Sequence, residues 1–198
     1  LNVLLMGDLI QGNLGHDPRD GAALTEQVAR CIHLISQAIA QLSAHFPKVK
    51  VHSVSGNHGR IISRHPGRAV QDKFDSYETM IAVALKGMSQ NLKNVSFEIP
   101  LTPYGTYKVF DHKVFYTHGD SVLNVGYPGK GLKTDSIEKQ INRINASLKD
   151  HEEYKVFIAG HIHTAMNLNL SNGTTLITNG SLIPIDEYAI SIGMFESS

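Results

Sequence analysis

Apolar residues along this chain fall into two periods, and the change from one to the other divides the chain. Asn2–Met6 (NVLLM) is a short apolar run that stops at Gly7-Asp8, as a buried strand does. The polar, glycine-rich stretch QGNLGHDPRDG follows as a loop, and Asp20 is placed to cap a helix. Val28, Ile32, Ile35, Ile39, Leu42 and Phe46 are separated by alternating steps of four and three, which predicts one helical stripe closed by Pro47. Val49–Val54 reads as the next strand. A strand, a long helix and a strand make a parallel crossover.

A second helix is predicted over Asp72–Ser89, with Phe74, Tyr77, Ile81, Leu85 and Met88 on one side. The period then shortens to two. Val95, Phe97 and Ile99 alternate, and Tyr107–Phe110 and Val114–Tyr116 flank a turn at Asp111-His112. A third helix is predicted over Thr134–Leu148, with Ile137, Ile141, Ile144 and Leu148 inward. Val156–Ala159 is another buried strand. Asn167–Leu170 and Thr174–Thr178 form a hairpin across Asn172-Gly173, and Tyr188–Met194 supplies a last strand. No repeat or linker interrupts the series, so one mixed α/β domain over residues 1–198 is expected.

Composition narrows the classes. The chain has 198 residues, 41% of them hydrophobic and 18% charged, with a formal net charge of +0. That balance excludes a global field that would attract nucleic acid or an acidic membrane. Arg60, Arg64, His65 and Arg68 still form a local basic stretch, open to reading as a solvated loop or as a phosphate-facing surface. No apolar run approaches the roughly 20 residues that span a bilayer, so no membrane partner is expected. The single Cys31 lies on the apolar side of the first helix, where an inert thiol fits a reducing, cytoplasmic setting. Histidine stands out, with 11 residues against 0 tryptophan.

Four short segments gather the polar chemistry: Gly7-Asp8, Gly56-Asn57-His58, Thr117-His118-Gly119-Asp120 and Gly160-His161-Ile162-His163. Each follows an apolar run predicted to be a strand, and each joins a metal-ligand type to an adjacent glycine. Open α/β sheets collect ligands at that carboxyl edge. His161 and His163, two apart, would point the same way on an extended segment. Oxygen and imidazole donors without thiolate favour manganese, zinc, iron or magnesium. No G-x-S-x-G elbow surrounds Ser55 or Ser181, which excludes a serine hydrolase of that kind.

In order and spacing these blocks resemble the calcineurin-like metallophosphoesterase superfamily, and SVSGNHGR with the late Gly180-Ser181 and Asp186-Glu187-Tyr188 is similar to its phage-associated branch. The resemblance implies a four-layer α-β-β-α sandwich with a metal site at the C-terminal ends of strands. It implies two divalent metal ions, Mn2+ first, with Zn2+, Fe or Mg2+ as alternatives. Asp8 would be shared by both, Asn57, His118 and His161 would complete one site, and His163 would serve the other. His58 would be the catalytic general acid. A hydroxide bridging the metals would attack a phosphodiester, in a nucleotide or in nucleic acid such as DNA, in a bacterial or phage-infected cytoplasm. Arg60, His16 and His65 lie on loops expected to border the substrate. The alternative is a phosphoesterase-like scaffold that binds without hydrolysing.

Two departures from the superfamily pattern matter. Its D-x-H block, which precedes Gly-Asp, has no match here and is expected upstream of Leu1. Where an acidic residue usually follows the Asn-His pair this chain has Gly59, so either another group orients His58 or His58 is held less firmly, with Asp120 open to reading as that group or as a solvated loop carboxylate. With Asp8 and His163 alone, the second metal site should be weak. Calorimetric titration of this chain with Mn2+ is therefore expected to resolve one tight and one weak site, and two equally tight sites would contradict the assignment.

Overall fold

In a computed structural model, which describes residues 1–13, 21–61, 74–128, 130–148 and 152–182, the two runs flanking the first helix become neighbouring parallel strands. The chain forms two compact units, Leu1–Gly105 and Thr106–Ser198. In the first, β1 (Asn2–Leu5), β2 (Val49–Ser53) and β3 (Val95–Glu98) make a wholly parallel sheet in the order β1-β2-β3. Val3 pairs with Val51, and Val51 with Phe97. The central position of β2 explains why Val49 and Val51 are both 0% exposed.

Two helices belong to this unit, α1 (Leu24–His45) and α2 (Tyr77–Met88). Ile39 from α1 and Ile81 and Leu85 from α2 join Val49, Val51 and Ile10 in one core, with Val28, Ile32, Ile35 and Leu42 packed around it. The predicted stripe therefore holds along α1, except at its end. Phe46 is an exposed cap in extended conformation (φ −119°, ψ 134°), because a residue before proline is kept out of the helical region. Met88 is exposed too; the chain turns at Ser89, whose N–H returns to Leu85 O, and Ser89 is the buried residue there. The N-cap of α1 is Ala23, without a side-chain bond, and the predicted cap Asp20 lies outside the described residues. Ser76 caps α2 through its hydroxyl, which accepts from Glu78 N.

The second unit holds a sheet of order β4-β5-β6-β8-β7, from β4 (Tyr104–Val109), β5 (His112–Thr117), β6 (Val156–Ala159), β7 (Met166–Asn169) and β8 (Thr175–Thr178). The β5–β6 and β6–β8 pairs are parallel, and β7–β8 is antiparallel. The hairpin turn before β5 sits at Phe110-Asp111, one residue earlier than the spacing suggests, with Phe110 left-handed (φ 50°) and exposed. The helix α3 (Thr134–Ala146) buries Ile137 and Ile141 and ends short of Leu148. Its Glu138 accepts Ser171 N at 2.7 Å and Ser171 Oγ at 2.6 Å, fixing the β7–β8 turn at Asn172-Gly173. The predicted strand Tyr188–Met194 lies outside the described residues. Mixed α/β character thus holds, with two sheets and three helices among the described residues. None of these helices is long and apolar enough to cross a membrane.

Two titratable groups are moved by this packing. Burial, reinforced by Glu78, raises the Cys31 thiol to about 11, consistent with an inert cysteine. His52, fully buried on β2, donates from Nε2 to Asn2 Oδ1 at 3.0 Å, and burial together with Lys50 lowers its pKa to about 4. Between pH 6.5 and 4 the unfolded chain binds a proton that the native His52 refuses. Its contribution is therefore whole above pH 6.5 and lost as pH falls towards 4, by about 3 kcal/mol in full. Urea unfolding at pH 7.5 and 4.5 is expected to show a smaller loss of stability in His52→Gln than in the parent; equal losses would contradict this account.

Candidate functional site

The loops that leave β1 and β2 cannot extend the sheet, so their backbone donors need other partners. Asp8 supplies one. Its Oδ1 accepts Asn57 N at 2.8 Å and His58 N at 2.9 Å, which brings the Gly-Asp and Gly-Asn-His segments together. Gly56 makes that approach possible: a Cβ there would stand 2.0 Å from Asp8 Oδ1 and 2.4 Å from Asp8 N. Gly12 is equally constrained, left-handed (φ 73°) and with His58 O where its Cβ would be. His58 is held from the same side. Its Nδ1 lies 3.1 Å from Gln11 O, a carbonyl that only accepts, so Nδ1 carries a proton. Nε2 stands 3.8 Å from Asp8 Oδ2.

Beneath both loops lies Glu78, from the first turn of α2 and 0% exposed. Its Oε1 accepts Leu9 N at 2.6 Å and its Oε2 accepts Gly56 N at 2.5 Å. The sequence reading missed this residue, because an acid in a helix's first turn has a sufficient explanation in the helix dipole. The signal that was available is the crowding of glycines at 56 and 59, which marks bulk pressing on the loop.

In the second unit, His118 follows β5 directly and is 1% exposed, and its carbonyl accepts Gly160 N at 2.8 Å. That bond carries the loop after β6 towards it. The His118 and His161 rings meet edge-on, with centroids 5.0 Å apart. Two imidazoles on one cation, each at about 2.1 Å, place their centroids about 5 Å apart, so this pair fits a shared ion. Gly119 (φ 115°) leaves the room: its Cβ would lie 2.9 Å from Val125 Cγ2 and 3.3 Å from His161 Cβ. Tyr127, largely exposed, packs against His161 with centroids 5.8 Å apart, and Lys130 Nζ stands 5.8 Å from the Tyr127 ring centroid.

His161 and His163 do not lie on an extended segment. Both are left-handed, at φ 69° and 59°, with Ile162 N bonded back to Gly160 O at 2.8 Å. The tight bend, rather than strand alternation, sets their direction. Asp8 is left-handed as well (φ 51°), and Phe110 is the other non-glycine residue so placed among the described residues. Three of these four are residues for which the resemblance implies a metal-ligand role.

The chain matches no protein-family profile and no curated protein. Among solved structures it is similar to a double mutant of Vps29 from Entamoeba histolytica, at 13% identity and a TM-score of 0.38, over 90% of this chain and 73% of that one. It is also similar to phosphopantetheinyl hydrolase (PptH) from Mycobacterium tuberculosis, at 12% identity and a TM-score of 0.36, over 90% and 79%. At such scores the functional reading rests on the chain's own residues.

Asp8, Asn57 and His58 are joined in the first unit, and His118 and His161 in the second, with His163 on the same bend. Arg60 pairs through its backbone with Ser76, and its Nε is buried without a hydrogen-bond partner among the described residues. His16 and His65, expected near substrate, lie outside the described residues, as do Arg64 and Arg68. The Gln11 carbonyl is a group that meets His58 Nδ1.

Proposed function

We propose that this chain is a metal-dependent phosphoesterase of the calcineurin-like kind, hydrolysing a phosphodiester. The observation that carries the reading is the backbone at Asp8, His161 and His163. A left-handed conformation costs a non-glycine residue about 1 kcal/mol or more and gathers at functional sites. Here it falls on one carboxylate and two imidazoles that the motif order had already selected.

The donor set suits a hard or borderline divalent cation: Asp8, the Asn57 amide, His118 and His161 for one ion, and His163 towards a second. Neutral amide and imidazole donors leave such a site net positive, as an anionic substrate requires. A bound cation supplies Lewis acidity and neutralises phosphate charge. The chain's own residues do the rest. Asp8 spends one carboxylate oxygen on the Asn57 and His58 amides, which fixes the other. His58, anchored through Nδ1, presents Nε2, which in the imidazolium form would carry the proton given to the departing oxygen. Exposed Tyr127 offers a ring face to a base and Lys130 a cation to a neighbouring phosphate, which favours a nucleotide or nucleic-acid substrate.

Hydrolysis of bis-p-nitrophenyl phosphate with Mn2+ tests the proposal. The parent is expected to turn over, Asp8→Ala to lose nearly all activity, and His58→Ala to lose roughly 10²-fold or more in kcat with a smaller change in KM. Hydrolysis indifferent to Asp8→Ala, or no hydrolysis with any divalent metal, would contradict it and favour a binding scaffold.

A further inference from the structure

We propose that Glu78 is the positioning residue of this site, holding the Asp8 loop and the Asn57–His58 loop in register so that their side chains present together. The inference rests on the metal-dependent reading above and concerns how the first unit prepares its half of the site. Glu78 reaches the residue after Asp8, Leu9, and the residue before Asn57, Gly56, with one oxygen each. Asp8 Oδ1 then ties the Asn57 and His58 amides across the same gap. Two carboxylates thus take four backbone donors from loops that no strand ladder serves.

The position is specific to this side chain. Gly59 is the residue after the Asn-His pair, and a Cβ there would stand 2.4 Å from Glu78 Cγ and 2.9 Å from Glu78 Cδ. Gly59 does not need its glycine for φ, since its backbone is not left-handed. It needs it for space, and the space is filled by Glu78. Gly59 O in turn accepts Tyr77 N at 2.8 Å and Ser76 Oγ at 3.1 Å, so the start of α2 is locked to the loop that Glu78 underlies.

A buried carboxylate with this geometry also differs from a packing residue in what its replacement does. Glu78→Gln keeps the volume but turns one acceptor into an NH2 group facing an N–H. The loops then lose one of their two anchors while the core stays filled. Residues that orient metal ligands through hydrogen bonds typically change metal affinity 10- to 100-fold when replaced.

The test uses the full chain, with Mn2+ affinity by calorimetry and backbone amide spectra recorded without metal. Glu78→Gln is expected to keep a cooperative unfolding transition, to shift the Leu9 and Gly56 amides together with those of Asn57 and His58, and to weaken the tight Mn2+ site about 10-fold or more. Should that variant fail to fold, Gly59→Ala displaces the same carboxylate from the other side and is expected to give the same pair of changes. Unmoved Asn57 and His58 amides, or Mn2+ affinity within two-fold of the parent, would overturn the proposal. If the parent itself binds no Mn2+, the metal reading fails, and the amide spectra decide alone: shifts relayed to Asn57 and His58 support the clamp, and their absence overturns it.

Discussion

A single carboxylate oxygen, Asp8 Oδ1, closes the gap between the loops after β1 and β2 by accepting the amides of Asn57 and His58. Most of the first unit's chemistry depends on it. Parallel strands end with their backbone donors unpaired, and loops at that edge must find acceptors or leave buried N–H groups unsatisfied, at about 1–3 kcal/mol each. Asp8 and Glu78 supply those acceptors. Because Asp8 is also a candidate ligand, the loop geometry and the ligand geometry are one arrangement.

That dependence explains the glycines. Gly56 stands where a Cβ would fall on Asp8, and Gly59 where one would fall on Glu78. Neither is needed for a turn as such. Each clears a path for a carboxylate to reach the backbone. In the second unit Gly119 does the same for the approach of the His161 bend, with a left-handed φ in addition. Strain at Asp8, His161 and His163 persists because the surrounding contacts over-determine it: Asp8 is held by two amides, and the His161 bend by the Gly160 to His118 bond.

Much of this was legible in the sequence, for reasons that differ by element. The strands before Asp8, His118 and His161 are short, largely apolar runs, as buried parallel strands are, and the strand before Asn57 alternates Val49 and Val51 with Lys50 and His52. The stripe of α1 is legible because one face of a long helix meets one core. Prediction failed at Phe46 and Met88, where periodicity was carried to the helix end and the local backbone decided otherwise. The bend at His161–His163 was not legible, because left-handed histidines leave no compositional mark. Glu78 was hidden for a related reason: its partners are backbone amides, and a side chain that serves the main chain pairs with no residue type that a motif would show.

The account stands or falls on whether Asp8, Asn57, His118 and His161 hold one cation. Substoichiometric Mn2+ added to isotope-labelled protein tests this directly, since the ion broadens amide resonances by proximity. The account predicts simultaneous broadening at Gly7–Leu9, Gly56–His58, His118–Gly119 and His161–His163, abolished by Asp8→Ala. Broadening confined to one of the two groups, or scattered over surface carboxylates, would contradict it.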